Sequence, residues 1–108
     1  MGVAVVEFNV QHLGEKVLVA IVGEFDANTA PEARRPIDAL VETEPKQVEV
    51  DLSALESIDS AGVGALVSFF KRTRAYGGRF FVFGAKGQPR SLFQVLRLDR
   101  VFVAPPER

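Results

Sequence analysis

Cysteine and tryptophan are absent from this 108-residue chain, and methionine, histidine and tyrosine occur once each. The lack of cysteine excludes disulfides and thiolate metal sites. No apolar run approaches the roughly 20 residues that a membrane-spanning helix needs. The first residues carry no basic stretch followed by an apolar core and a cleavage site, so no signal peptide is expected. Together these absences fit a cytoplasmic protein that works away from membranes. The net charge of −1 argues against electrostatically driven nucleic-acid binding. What the chain does have is apolar material: 47% of its residues, nine of them Phe, enough for one core in one domain over 1–108. Its charge is uneven. Through Asp59 there are 12 acidic and 4 basic residues, and from Ser60 onward 2 acidic and 9 basic. Such asymmetry marks a partner surface unless folding interleaves the halves, and interleaving is the simpler expectation.

The periodicity alternates between strand and helix. Val3, Val5, Phe8 and Val10 suggest a first strand of imperfect alternation, and His12 to Glu15 a hairpin turn with Gly14 as its flexible residue. Val17 to Val22 is nearly continuous apolar sequence, suited to a central strand buried on both faces and closed by Gly23. Thr29-Ala30-Pro31-Glu32 fits a capping box opening a helix with Ile37, Leu40 and Val41 inward. Pro36 predicts a kink there or a restart. Val48, Val50 and Leu52 alternate with Glu49 and Asp51 in the next strand, and a short loop leads to Ser60. A second helix follows, with Val63, Leu66, Val67 and Phe70 inward, Lys71, Arg72 and Arg74 near its end, and Gly77-Gly78 as its stop. Phe80 to Phe83 reads as a short buried strand, Pro89 to Leu96 as a short helix, and Val101 to Val103 as an edge strand. Phe69, Phe70, Phe80, Phe81 and Phe83 are expected in the core, with Phe93 and Phe102 partly exposed. The alternation predicts an α/β fold, and the opening hairpin makes its sheet mixed.

Ser60 is the most informative residue. A hydroxyl at a helix start lies beside unpaired N–H groups and the positive end of the helix dipole. That position suits a phosphate, which adds about −1.5 to −2 charges. It equally suits a serine N-cap. Asp59, just before it, either serves the phosphate-transfer reaction or complements the helix dipole. Asp26 is expected at the carboxyl end of the second strand, where it meets Asp59 around Ser60 or caps the next turn together with Asn28.

Catalysis has little support. Ser60 lacks the Gly-x-Ser-x-Gly elbow of hydrolases. His12 lies in an expected surface turn, which leaves Ser60 without a base. Gly84-Ala85-Lys86-Gly87 only loosely echoes a phosphate-binding loop and reads as a plain turn. No enzyme activity and no cofactor are expected.

The stretch from Val50-Asp51-Leu52-Ser53 through Ile58-Asp59-Ser60-Ala61-Gly62-Val63-Gly64-Ala65-Leu66 resembles the signature of the STAS domain, the module shared by sulfate transporters and anti-sigma factor antagonists. Gly23-Glu24-Phe25-Asp26 with Thr29-Ala30 is similar to that family's earlier Gly-Glu-Leu-Asp-x-x-Thr-Ala pattern. The expected elements match it along nearly the whole chain. The resemblance implies a mixed β-sheet of four to five strands with helices packed mainly on one side. For stand-alone members it implies that the serine matching Ser60 is phosphorylated by an anti-sigma factor that is also a serine kinase. It further implies that the unphosphorylated form binds that partner, and that a serine phosphatase resets the switch. Asp26, Asn28, Thr29, Asp59, Ala61 and Gly62 would then support the phosphosite or contact the partner. Phe25 replaces the commoner Leu, Ala61 stands where Ser is frequent and leaves Ser60 as the lone acceptor, and Pro36 is unusual in the first helix.

The leading expectation is therefore an anti-sigma factor antagonist working by partner switching. The alternative is a constitutive STAS scaffold subunit of a stress-signalling or lipid-transport complex, with Ser60 acting only as a cap. A small-ligand or nucleotide binder at the helix start ranks third, since no adenine or phosphate motif is evident.

Overall fold

Alternating side chains and one tight glycine turn start the sheet. In the computed structural model, which describes residues 3–106, β1 (Val6–Leu13) pairs antiparallel with β2 (Lys16–Phe25). The ends of the expected 1–108 span, residues 1–2 and 107–108, lie outside the described residues. Gly14 takes φ +67 at the first turn position, where type II′ hairpins place glycine. His12 ends up exposed in β1 beside that turn. β2 does not stop at Gly23. It continues to Phe25 through a register shift at Gly23 and Glu24. Gly23 has φ +99, and a Cβ there would lie 2.3 Å from the Val5 carbonyl oxygen. The glycine thus permits an irregularity rather than a strand end.

Thr29 does not form a capping box. Its hydroxyl turns back toward β2, and the chain enters a 3₁₀ turn at Ala30–Ala33 before α1 (Arg34–Glu42). The helix restarts, but at Arg34 rather than at Pro36; Pro36 falls in the first turn of α1, where its missing N–H breaks no helix bond. Ile37 and Leu40 face inward.

The segment expected as one strand and a loop contains two strands. β3 (Gln47–Asp51) pairs parallel with the first half of β2, and β4 (Leu55–Ile58) pairs parallel with its second half. α2 (Ser60–Ala75) follows and ends at Gly77, φ +90. Gly78 N–H bonds the Thr73 carbonyl and Gly77 N–H the Arg74 carbonyl, a Schellman closure. β5 (Arg79–Phe83) pairs parallel with β3, giving the order β1-β2-β3-β5 with β4 beside β2. α3 (Gly87–Val95) begins two residues before the expected Pro89. Residues 101–103 are not a strand; they run as a strap in which the Val103 carbonyl accepts from Val82 N–H at 2.9 Å.

The sheet is covered on one face. Val17, Val19 and Ile21 are buried, whereas Leu18, Ala20 and Val22 between them are only half-buried. The expectation of a strand buried on both faces is thereby corrected. α2 packs on β4 and β5, α3 on β4, and α1 beside α2. Phe69 and Phe70 meet the Phe80 ring edge-on, with centroids 5.1 and 5.6 Å away. Phe69 is fully buried and Phe70 half-buried, the reverse of a simple three-and-four reading. Phe93 and Phe102 are buried against each other, while Phe81 and Phe83 are half-exposed on the far face. On that face Glu49 is 1% exposed, held by Lys16 Nζ at 3.2 Å and Gln47 Nε2 at 2.7 Å. Arg79 in turn donates to Gln47 Oε1 at 2.6 Å.

Two glycines in α2 differ in their surroundings. A Cβ on Gly62 would lie 2.2 Å from the Phe25 carbonyl oxygen, and one on Gly64 meets nothing within 4 Å. Gly62→Ala is expected to lower stability by about 2–3 kcal/mol through overpacking. Gly64→Ala is expected to raise it by up to about 1 kcal/mol through helix propensity. Urea unfolding of both variants measures the pair, and equal effects would refute the close helix–strand approach.

Candidate functional site

The parallel strands β2 and β4 end side by side, Phe25 opposite Ile58. Sites collect at such carboxyl ends. β2 delivers Asp26, and β4 rather than β3 delivers Asp59. The sharp approach of α2 follows from Gly62, which lets the helix start press against the Phe25 carbonyl.

Asp59, not Ser60, is the helix N-cap. Its backbone is extended (φ −122, ψ −171), and one carboxylate oxygen, Oδ1, accepts from Ala61 N–H at 2.9 Å and Gly62 N–H at 3.1 Å. Ser60 is already helical, so its hydroxyl is not placed to take that role. The other oxygen, Oδ2, accepts from Ala27 N–H at 3.0 Å, across 32 residues of chain. The Gly62 N–H, with those of Ala27, Ala61 and Asp59 itself, holds the Asp59 carboxyl below the usual carboxylate range against an opposing desolvation effect.

Asp26 caps the adjoining turn by itself; Asn28, expected to cap with it, contributes its backbone N–H. Its Oδ1 accepts from Asn28 N–H at 2.9 Å and Thr29 N–H at 3.2 Å. Thr29 is 1% exposed. Its hydroxyl donates to the Glu24 carbonyl at 2.7 Å and accepts from Asp26 N–H at 2.9 Å. Gly62 is also buried, Asp26, Asp59 and Ala61 are half-exposed, and Asn28 and Ser60 are exposed. The fold therefore brings the Asp26–Thr29 turn to the Ser60 helix start. Neither Asp26 nor Asp59 forms an ion pair among the described residues. The Ser60 hydroxyl likewise has no hydrogen-bond partner among them. No group of three or more His, Asp or Glu side chains in these residues is placed to hold a metal ion. His12 lies by the hairpin at the opposite end of the parallel strands, away from Ser60. An open groove of about 920 Å³ runs between Gly23, Ser53–Glu56 and Lys86–Gly87, and Ser60 is not among its lining residues.

Two supporting groups have no sequence signature. The Gln88 side chain on α3 accepts from Ile58 N–H and donates to the Ile58 carbonyl, both at 2.8 Å. It thereby satisfies β4's outer edge immediately before Asp59. Ala27 contributes only its backbone N–H, which side-chain chemistry cannot announce.

With this geometry in view, the comparisons with known proteins are specific. The STAS domain family model matches residues 7–107, and the chain belongs to that family. The anti-sigma-B factor antagonists of Listeria monocytogenes serovar 1/2a and Listeria innocua serovar 6a are each 28% identical over 83 residues, covering 77% of this chain and 73% of theirs. The crystal structure of an anti-sigma factor antagonist from Mycobacterium paratuberculosis aligns with TM-score 0.83 and 27% identity, over 94% of this chain and 86% of that one. The Bacillus cell fate determinant SpoIIAA, in its phosphorylated form, aligns with TM-score 0.72 and 21% identity over 94% and 93%, a likeness of fold. No helix among the described residues is long and apolar enough to cross a membrane.

The lowered Asp59 pKa carries a pH dependence. A depressed folded value means that Asp59 stabilises fully above the unfolded carboxylate pKa of about 4, and that this is lost as pH falls through the folded value. Asp59→Ala is expected to lose about 1 kcal/mol at pH 7, an ordinary N-cap cost. The gap to the parent should narrow below pH about 4. Urea unfolding at neutral and acid pH checks this, and a gap that stays constant would refute the carboxylate's role.

Proposed function

We propose that this chain is an anti-sigma factor antagonist that works by partner switching. In this reading the form with free Ser60 binds an anti-sigma factor with serine kinase activity, and phosphorylation of Ser60 releases it. A serine phosphatase restores the binding form. The observation that carries the proposal is the exposed Ser60 hydroxyl at the start of α2, flanked by Asp59 and the Asp26–Thr29 turn. The antagonists from Listeria and Mycobacterium paratuberculosis support the role. Asp26, Asn28, Ala61 and Ser60 supply surface, while Thr29 and Gly62 hold it in shape from beneath.

Charge gives the switch its direction. A phosphate on Ser60 adds about −1.5 to −2 charges beside two carboxylates that no described cation pairs with. The modified face is thus strongly negative, and a partner shaped for the unmodified face meets repulsion and a desolvation cost. Nothing in this role calls for catalysis by the chain itself, nor for a cofactor, a nucleic acid or a membrane. A cytoplasmic place of action and a domain spanning the whole chain belong to the same proposal.

Ser60→Asp and Ser60→Glu are expected to weaken binding to a kinase-type anti-sigma factor at least tenfold, about 1.4 kcal/mol, while Ser60→Ala keeps it. Calorimetric titration of the folded variants measures this. In native cells, phosphopeptide mass spectrometry over residues 47–71 should find phosphate on Ser60 that changes between growth and stress. Undiminished binding by the acidic variants would favour a constitutive scaffold subunit instead.

A further inference from the structure

β5 lies at the end of the sheet order, and its outer edge is only partly occupied. Val82 N–H on that edge donates to the Val103 carbonyl of the strap at 2.9 Å. The strap is pinned by Phe102, whose ring packs against Phe70, Phe80 and Phe93. Alternation along the strand directs the Phe80 N–H and carbonyl to the same side as those of Val82. The strap makes no backbone bond to Phe80. Beside this free stretch runs a groove of about 450 Å³ between Phe70, Arg74, Arg79, Phe81, Val101 and Val103.

The groove is cationic and aliphatic together. Arg74 forms no ion pair among the described residues. Arg79 donates to the Gln47 amide oxygen, sits 5.8 Å from the Phe81 ring centroid and forms no direct ion pair among the described residues. Val101 and Val103 are 39% and 45% exposed on the groove wall. The sequence asymmetry is thus not cancelled here, since the positive half of the chain supplies both arginines and the free edge.

We propose that this β5 edge is a second interaction surface, which takes an extended acidic segment of a protein partner as an added strand. The Phe80 backbone would give the ladder bonds, and Arg74 and Arg79 would meet the segment's carboxylates. The exposed valines favour a polypeptide with apolar side chains over a nucleic-acid backbone, and the chain's net charge of −1 disfavours the latter further. Arg74 lies 14 residues along α2 from Ser60, about 20 Å at the helical rise of 1.5 Å per residue. The edge can therefore be occupied whichever partner holds the Ser60 face, and it stands independently of the phosphoswitch.

The test titrates the isotope-labelled chain with an acetylated, amidated peptide, Glu-Val-Glu-Val-Glu-Val-Glu, and follows backbone amide signals. The expected shifts fall on Phe80, Val82 and Val103, leave Ser60 and Asp59 unmoved, and weaken with added salt. Arg74→Glu, whose parent residue touches no described ion-pair partner, should lower the affinity at least threefold, and Arg74→Gln with Arg79→Gln at least tenfold. Unchanged circular dichroism and melting show that both remain folded. The peptide with lysine in place of glutamate should give no shifts. Three results would overturn the proposal: no shifts up to about 1 mM peptide, shifts confined to other elements, or equal binding of a short DNA duplex at the same edge.

Discussion

The Asp59 carboxylate accepts three N–H groups from two chain segments, Ala61 and Gly62 of the first turn of α2 on one oxygen and Ala27 of the turn after β2 on the other. Those bonds set the start of α2, fix the turn after β2, and leave Ser60 facing outward between them. The same carboxylate is kept ionised by the donors it organises. Gly62 is a steric condition for this arrangement, because any side chain there would strike the Phe25 carbonyl. Gln88 is a second condition, since it holds both backbone groups of Ile58, the residue before the cap. The exposed serine is therefore mounted on a rigid platform, and a change in its charge has little slack into which to dissipate.

The electrostatic arrangement has two poles. At the carboxyl ends of β2 and β4 lie Asp26 and Asp59, and at the far end of α2 lie Arg74 and, on β5, Arg79. α2 runs from one to the other, its N-terminus beside the acidic pair. In the proposed reading, two partners of opposite charge preference address one small molecule without competing for surface. Across a distance of about 20 Å, roughly twice the Debye length in physiological salt, a phosphate at one pole is largely screened from the other.

Much of this was legible from residue patterns. The alternation of strand and helix, the Gly14 turn, the Gly77-Gly78 stop and a helix starting at Asp59 and Ser60 all follow from local chemistry. What was not legible depends on partners distant in sequence. Leu55–Ile58 is too short to declare itself a strand and becomes one by pairing with the second half of β2. Thr29 looks like a helix cap, yet the Glu24 carbonyl at the end of β2 offers its hydroxyl a buried acceptor. The cap passed from Ser60 to Asp59 because the backbone turns helical one residue earlier than the motif suggests. Phe93 and Phe102 were expected partly exposed, but both are buried, and three other rings enclose Phe102. Gln88 and the Ala27 N–H carry no pattern, being ordinary groups whose value comes from the crossing of chain segments.

Glu49 has a consequence for assembly of the sheet. It sits almost fully buried on the central strand, with Lys16 and Gln47 beside it and Arg79 one bond further. Each neighbour comes from the first residue of a different parallel strand, β2, β3 or β5. A slip of one residue between strands would turn Glu49 toward Val48's side of the sheet, where only aliphatic and aromatic groups await a charge. The carboxylate thus acts as a proofreading mark for strand alignment, penalising the wrong sheet more than it strengthens the right one.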